Sequence, residues 1–215
     1  MTDHLCENSS SSTSTESDEK EAYARAIKLM ARREHSRQEL LLKLGKAGFD
    51  EISIDNTLKK LVLKGFQSDQ RFAELFVEQR FNKGYGERDI LAKLGQRGID
   101  RHLAGNALGE FVSSANIDWY ARAAEVLTSR FDLTGEYSDE NVGENLEVMP
   151  DVEQEESAED RRTLRFKLSE ARQRRRKQWG NYLLRRGFYN DQVKFAIENP
   201  NHLAPNHPAN TESDE

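Results

Sequence analysis

One cysteine, Cys6, in 215 residues rules out an intrachain disulfide and a cysteine-built zinc cluster, so stability must come from packing. No run approaches the roughly 18 apolar residues that a membrane helix requires. The opening stretch, MTDHLCENSSSSTSTESDEKEA, has neither the basic start nor the apolar centre of a secretion signal. These absences predict a soluble cytoplasmic protein with no membrane partner. Apolar residues are scarce at 36%, below ordinary globular content, so part of the chain is expected to stay outside any core.

Reactive groups are missing too. His4, His35, His102, His202 and His207 have no cysteine or carboxylate partners at metal-ligand spacing. Gly84-Tyr85-Gly86 lacks the third glycine and the preceding strand of a dinucleotide loop, and reads instead as a turn between two helices. Gly45-Lys46 lacks the Walker spacing and its Ser/Thr. Glu74, Glu78, Glu87 and Asp89 lie near basic residues on helical surfaces, where solvated ion pairs are expected. No nucleophile, base and electrophile come together, so the sequence predicts no enzyme, no cofactor and no metal.

What is present is charge, unevenly placed. The net charge of −6 hides −5 over residues 1–21, −11 over 134–160 and −3 over 200–215, against +4 over 22–133 and +10 over 161–186. The acidic segments lack apolar periodicity and cannot offset backbone entropy, which predicts disorder for the Ser-rich start 1–21, the insertion 134–160 and the tail 200–215. The parts expected to fold are therefore basic, which favours attraction to a polyanion or an acidic protein surface.

An internal repeat sets the expected architecture. Shifted by 50 positions, Lys43-Leu44-Gly45-Lys46-Ala47-Gly48-Phe49-Asp50 falls on Lys93-Leu94-Gly95-Gln96-Arg97-Gly98-Ile99-Asp100. A third copy, Leu183-Leu184-Arg185-Arg186-Gly187-Phe188, lies 89 residues beyond the second. A glycine just past a helix lets the next residue fold back on the last turn, which pairs Leu44 with Phe49, Leu94 with Ile99, Leu183 with Phe188 and Leu61 with Phe66. Ser36-Arg37-Gln38-Glu39 has capping-box spacing, and Asp50 and Asp100 are placed to cap the helices that follow. Helical spacing marks Ala26, Ile27 and Met30, then Leu40, Leu41 and Leu44, then Ile54, Leu58 and Leu61. It continues through Phe72, Leu75, Phe76 and Gln79 to Trp119, Ala123, Val126 and Leu127.

The predicted fold is all-α, with three tandem three-helix repeats at 22–66, 67–113 and 114–199, the last carrying the acidic insertion. Each unit of some 45 residues is too small for a secure core alone, so neighbours should share apolar faces in an elongated array.

The main nonstructural signal is the run from Arg161 to Arg186, in which eleven cations face only Glu170. Neutralisation by the acidic insertion beside it is one reading. The other is a docking face for phosphates or an acidic protein groove, to which the planar arginine fork is suited. On that reading Arg172, Arg174, Arg175, Arg176 and Lys177, with Arg185 and Arg186, contact the partner. Arg32, Arg33, Arg80 and Arg97 are weaker candidates that could instead cap helices or pair with carboxylates. Trp179 and Tyr182 could stack on unpaired bases, but their spacing, extended by Leu183 and Phe188, suits a buried stripe better.

Three stretches carry a family resemblance. Ala31-Arg32-Arg33-Glu34-His35-Ser36-Arg37-Gln38-Glu39-Leu40, leading to Lys43-Leu44 and Gly48-Phe49, resembles the opening repeat of the RecX regulatory proteins. Ser68-Asp69-Gln70-Arg71-Phe72-Ala73, Arg80, Gly84-Tyr85-Gly86, Ile90, Leu94 and Arg97-Gly98-Ile99 follow that family's central motif, and Arg185-Arg186-Gly187-Phe188 is similar to its third-repeat signature. The acidic insertion departs from the compact family pattern. The resemblance implies a monomeric bacterial modulator that binds the RecA recombinase filament in its groove on DNA. It further implies restraint of strand exchange, ATP turnover and coprotease activity, in DNA repair, recombination and the SOS response, without a cofactor. A freestanding basic module binding single- or double-stranded DNA, independent of any recombinase, is the alternative.

Overall fold

The computed structural model describes residues 11–131 and 158–200. Residues 1–10, the insertion from 132 to 157 and the tail from 201 lie outside the described residues, and with them Cys6, His4, His202 and His207. The described residues form nine α-helices and no strand: α1 Ser11–Met30, α2 Arg37–Lys46, α3 Glu51–Leu63, α4 Asp69–Asn82, α5 Glu87–Gly95, α6 Arg101–Ser114, α7 Trp119–Phe131, α8 Ala158–Arg186 and α9 Asn190–Glu198. None of them is long and apolar enough to cross a membrane.

Local chemistry sets the helix ends. Gly48, Gly65, Gly98 and Gly187 all have positive φ, between 71° and 94°, which an L side chain adopts only at a cost. Past each of them the next amide donates back to the expected carbonyl: Phe49 to Leu44, Phe66 to Leu61, Ile99 to Leu94 and Phe188 to Leu183. Ser36 Oγ accepts from the Glu39 amide at 3.1 Å and Asp50 Oδ1 from the Ser53 amide at 2.9 Å. Asp100 Oδ1 accepts from the His102 amide at 2.8 Å. Hydrogen bonds to Ser53 hold the Asp50 carboxyl below its ordinary pKa, and the His102 amide does the same for Asp100.

Several expectations shift. Helix α1 starts at Ser11, within the stretch 1–21 expected to be disordered, and its Glu19 pairs with Lys60 and accepts from Asn56 at 3.3 Å. Helix α8 opens at Ala158, so the last residues assigned to the insertion are its first turn. In α4 the buried residues are Phe72, Ala73 and Val77, whereas Leu75 is exposed, as is Leu41 in α2. A stripe through 72, 73, 76 and 77 is as helical as one through 72, 75, 76 and 79, and tertiary packing selects the first. Glu87 is partly buried, and burial pushes its carboxyl pKa up.

By spatial contact the chain divides into two compact units. The first comprises residues up to Arg80 together with Ile90–Phe111. Its core joins Ala26, Leu40, Leu44, Ile54, Leu58 and Leu61, with Tyr23, Ile27, Met30 and Phe49 packed against them. Each fully buried Leu there contributes about 1.5–3 kcal/mol. Here the end of α5 meets the start of α2: Ser36 Oγ donates to the Arg97 carbonyl at 2.7 Å, and a Cβ on Gly98 would come within 2.5 Å of Gln38 Cβ. Fully buried Ser36 thus both caps α2 and fastens this contact. Ser36→Ala is expected to cost about 1–3 kcal/mol, combining a lost cap and a lost hydrogen bond. Thermal unfolding followed by circular dichroism checks this, and an unchanged midpoint would show that the contact adds nothing.

The second unit comprises Phe81–Asp89 and the chain from Val112 onward. Its core gathers Ala123, Ala124, Val126 and Leu127 of α7, Leu183 of α8, Phe188, and Val193 and Ala196 of α9. Trp119, Phe131, Trp179, Tyr182 and Ile197 pack on its edge. The Gly84-Tyr85-Gly86 turn docks on the end of α8, with the Gly86 amide donating to the Arg186 carbonyl at 2.8 Å and the Arg88 amide to the Gly187 carbonyl at 3.1 Å. Backbones approach so closely that a Cβ on Gly86 would lie 2.6 Å from the Gly187 carbonyl carbon. This contact repeats the one in the first unit: Ser36 and Gly86 are equivalent under the 50-residue shift, and Arg97 and Arg186 under the 89-residue shift. In both, the spare carbonyls at one helix end are met by donors at another helix's start, which satisfies two orphaned termini at once.

Candidate functional site

The cationic run lies on α8, whose 29 residues span about 44 Å at 1.5 Å per residue. From Arg165 to Gln178 every residue is exposed, and burial begins only at Trp179. The stretch Ser169–Gln178 offers Ala171 as its sole apolar side chain, so nothing in it forms an apolar stripe to fold against its own core. Arg172, Arg174, Arg175, Arg176 and Lys177 are all exposed there. Arg174 keeps a loose 3.8 Å pair with Glu170 while its side chain remains 80% accessible. Four successive helical positions sweep roughly 300° about the axis, so Arg174 to Lys177 ring the helix instead of sharing one flank.

The remaining candidates lie elsewhere in the fold. Arg186 donates to the Lys83 carbonyl and sits over two rings, 4.9 Å from that of Tyr85 and 5.1 Å from that of Tyr182. It clamps the glycine turn onto α8. Arg185, its neighbour, is exposed. In the first unit Arg33 and Arg97 converge on one carboxylate: Arg33 reaches Glu39 Oε2 at 2.9 Å and Arg97 reaches Oε1 at 3.2 Å. Arg97 also donates to the Lys93 carbonyl at 3.1 Å and lies 4.6 Å from the Phe76 ring, where Arg80 approaches at 5.9 Å. Arg32 is exposed just past α1. Trp179 and Tyr182 meet Phe131, at 6.2 and 5.4 Å between ring centroids, as edge members of the core.

Where α7 ends against α8, a cavity of about 470 Å³ opens in the second unit. Arg174, Lys177, Gln178, Asn181, Tyr182 and Arg185 line it from α8, facing Arg130 and Phe131 of α7. Those α8 positions step by three and four along the chain, which is the spacing of a single helical face. Sequence reasoning missed Arg130, Gln178 and Asn181, although the helical spacing of the last two was present to be read. Among the described residues no group of three or more His, Cys, Asp or Glu side chains could hold a metal ion.

Fold and site together define a helical protein of repeated three-helix domains carrying an exposed cationic helix. Residues 22–61 match the family model described as the first three-helix domain of RecX, and residues 68–108 match the second three-helix domain of RecX. A "Regulatory protein RecX" of Chromohalobacter salexigens is 43% identical over 111 residues, covering 51% of this chain and 70% of its own. One from Stenotrophomonas maltophilia is 38% identical over 111 residues, covering 52% and 66%. The chain belongs to the RecX family. The crystal structure of RecX from Lactobacillus salivarius shares the fold with a TM-score of 0.56 at 19% identity, over 86% of this chain and 97% of that one. A second RecX crystal structure gives 0.57 at 18% identity.

Proposed function

We propose that this protein regulates the RecA recombinase by lying in the groove of its filament on DNA, where it restrains strand exchange, ATP turnover and coprotease activity. Family membership supports a regulatory role, and the observation that carries the partner assignment is the exposed cationic length of α8. A helix that is polar on every side gains little from its own fold, and a surface of acidic side chains or phosphates would hold it. Because its cations ring the axis, α8 suits a groove, which touches a rod on more than one side. Arg172, Arg174, Arg175, Arg176, Lys177 and Arg185 make the contacts, with Arg32 as an outlying one. Arg33, Arg97 and Arg186 act instead by holding the fold, each tied to another element or turn. The mechanism is steric and electrostatic, and the protein works in the cytoplasm as a monomer organised in the three units 22–66, 67–113 and 114–199.

RecA-dependent, DNA-stimulated ATP hydrolysis tests the reading. Suppression by substoichiometric amounts of this protein is the expected result, because one regulator in the groove affects several protomers. Turnover that stays unchanged at saturation would refute the role.

A further inference from the structure

The cavity between α7 and α8 combines three kinds of group. Arg130, Arg174, Lys177 and Arg185 supply positive charge around its rim. Phe131 and Tyr182, edge-to-face at 5.4 Å and 86°, supply an aromatic floor, and Trp179 backs Phe131 at 6.2 Å. Gln178 and Asn181 add side-chain amides that both donate and accept.

We propose that this cavity binds one unstacked nucleotide of single-stranded DNA, with its phosphates on the arginine and lysine rim, its base against the Phe131–Tyr182 floor and the base edge at Gln178 and Asn181. An acidic peptide would use the rim alone, leaving the floor and amides without a role. A duplex would use the rim too, but its bases are already stacked and their pairing edges occupied, whereas a single strand presents both. A cavity of about 470 Å³ has room for one nucleotide. The preference for a single strand rests on the aromatic floor. The choice of DNA over RNA rests on the proposed function, which places the chain on a recombinase filament. Nucleotide binding is a property of this chain alone, so a measurement without recombinase can fail while the regulatory reading stands, and the reverse.

The test is fluorescence anisotropy of a labelled oligothymidylate titrated with the full chain in the absence of recombinase. Arg130→Gln is expected to weaken binding and lower the salt slope by about 0.7, the share of one phosphate contact on a single strand. Tyr182→Leu is expected to weaken it about 5- to 150-fold, the range of one base stack. The same oligonucleotide carrying abasic sites should bind more weakly by a like factor and should be indifferent to Tyr182→Leu. Asn181→Ala, at an exposed position, gives a second variant should Tyr182→Leu lose its helical circular dichroism, and a loss of affinity for thymidylate but not for the abasic strand is the expected result. Equal binding of abasic and thymidylate strands would overturn the base site. So would an oligoglutamate that competes as well as oligothymidylate, or an oligouridylate that binds more tightly.

Discussion

Gly187→Ala is expected to lower the thermal midpoint by roughly 4–20 °C. The residue sits at φ +88°, and a Cβ there would lie 2.4 Å from the Asp89 amide nitrogen and 2.5 Å from Asp89 Cβ. A left-handed backbone costs an L residue about 1–2 kcal/mol, and forcing apart the start of α5 and the end of α8 adds about 1–3 kcal/mol. At about 2–4 °C per kcal/mol for a chain of this size, the shift follows. Gly48→Ala is the control: φ is +94°, yet no atom lies within 4 Å of its added Cβ, so only the backbone term applies. Unfolding of both variants by circular dichroism separates the two contributions. If they shift equally, the docking of the Gly84-Tyr85-Gly86 turn on α8 contributes no stability.

Reversing Arg174, Arg175 and Arg176 to Glu is expected to leave the fold intact and to abolish most partner binding. All three are exposed, and the pair that Arg174 makes with Glu170 at 3.8 Å is worth at most about 0.5 kcal/mol. Helical circular dichroism should therefore hold. One charge-assisted contact carries about 1.5–3 kcal/mol, so losing even two of three reduces affinity for the DNA-bound recombinase filament at least about 100-fold. Where phosphates are the partners, the slope of log affinity against log salt falls by about 0.9 per lost contact on duplex and 0.7 on a single strand. Affinity and slope that stay put in a folded triple variant would make these arginines bystanders. A decline in affinity with no change in slope would assign them to acidic side chains of the recombinase.

The helix ends were legible in the sequence because their code is local. A glycine, a hydrophobic residue after it and a leucine four before it lie within one turn, and so do Asp50 and Asp100 with the amides they cap. Core faces were legible where only one apolar stripe exists, as in α3 with Ile54, Leu58 and Leu61. They were not legible in α4, where Ala73 and Val77 compete with Leu75 and the choice depends on what packs opposite. The partners of the glycine turn were out of reach: Gly86 meets Arg186 and Gly187 across 100 residues, and no local rule connects them. The cavity was half legible. Its α8 wall follows a helical period, but Arg130 and Phe131 stand on the far side of the acidic insertion in sequence, and only folding brings them opposite.

The joint formed once by Arg97 and Ser36, and again by Arg186 and Gly86, relies on a main-chain carbonyl that accepts a serine hydroxyl in one copy and a glycine amide in the other. A fastening of that kind is blind to the side chain of the residue whose carbonyl accepts. A serine hydroxyl can stand at one joint where a bare amide stands at the other, and the copies around them can drift far in composition.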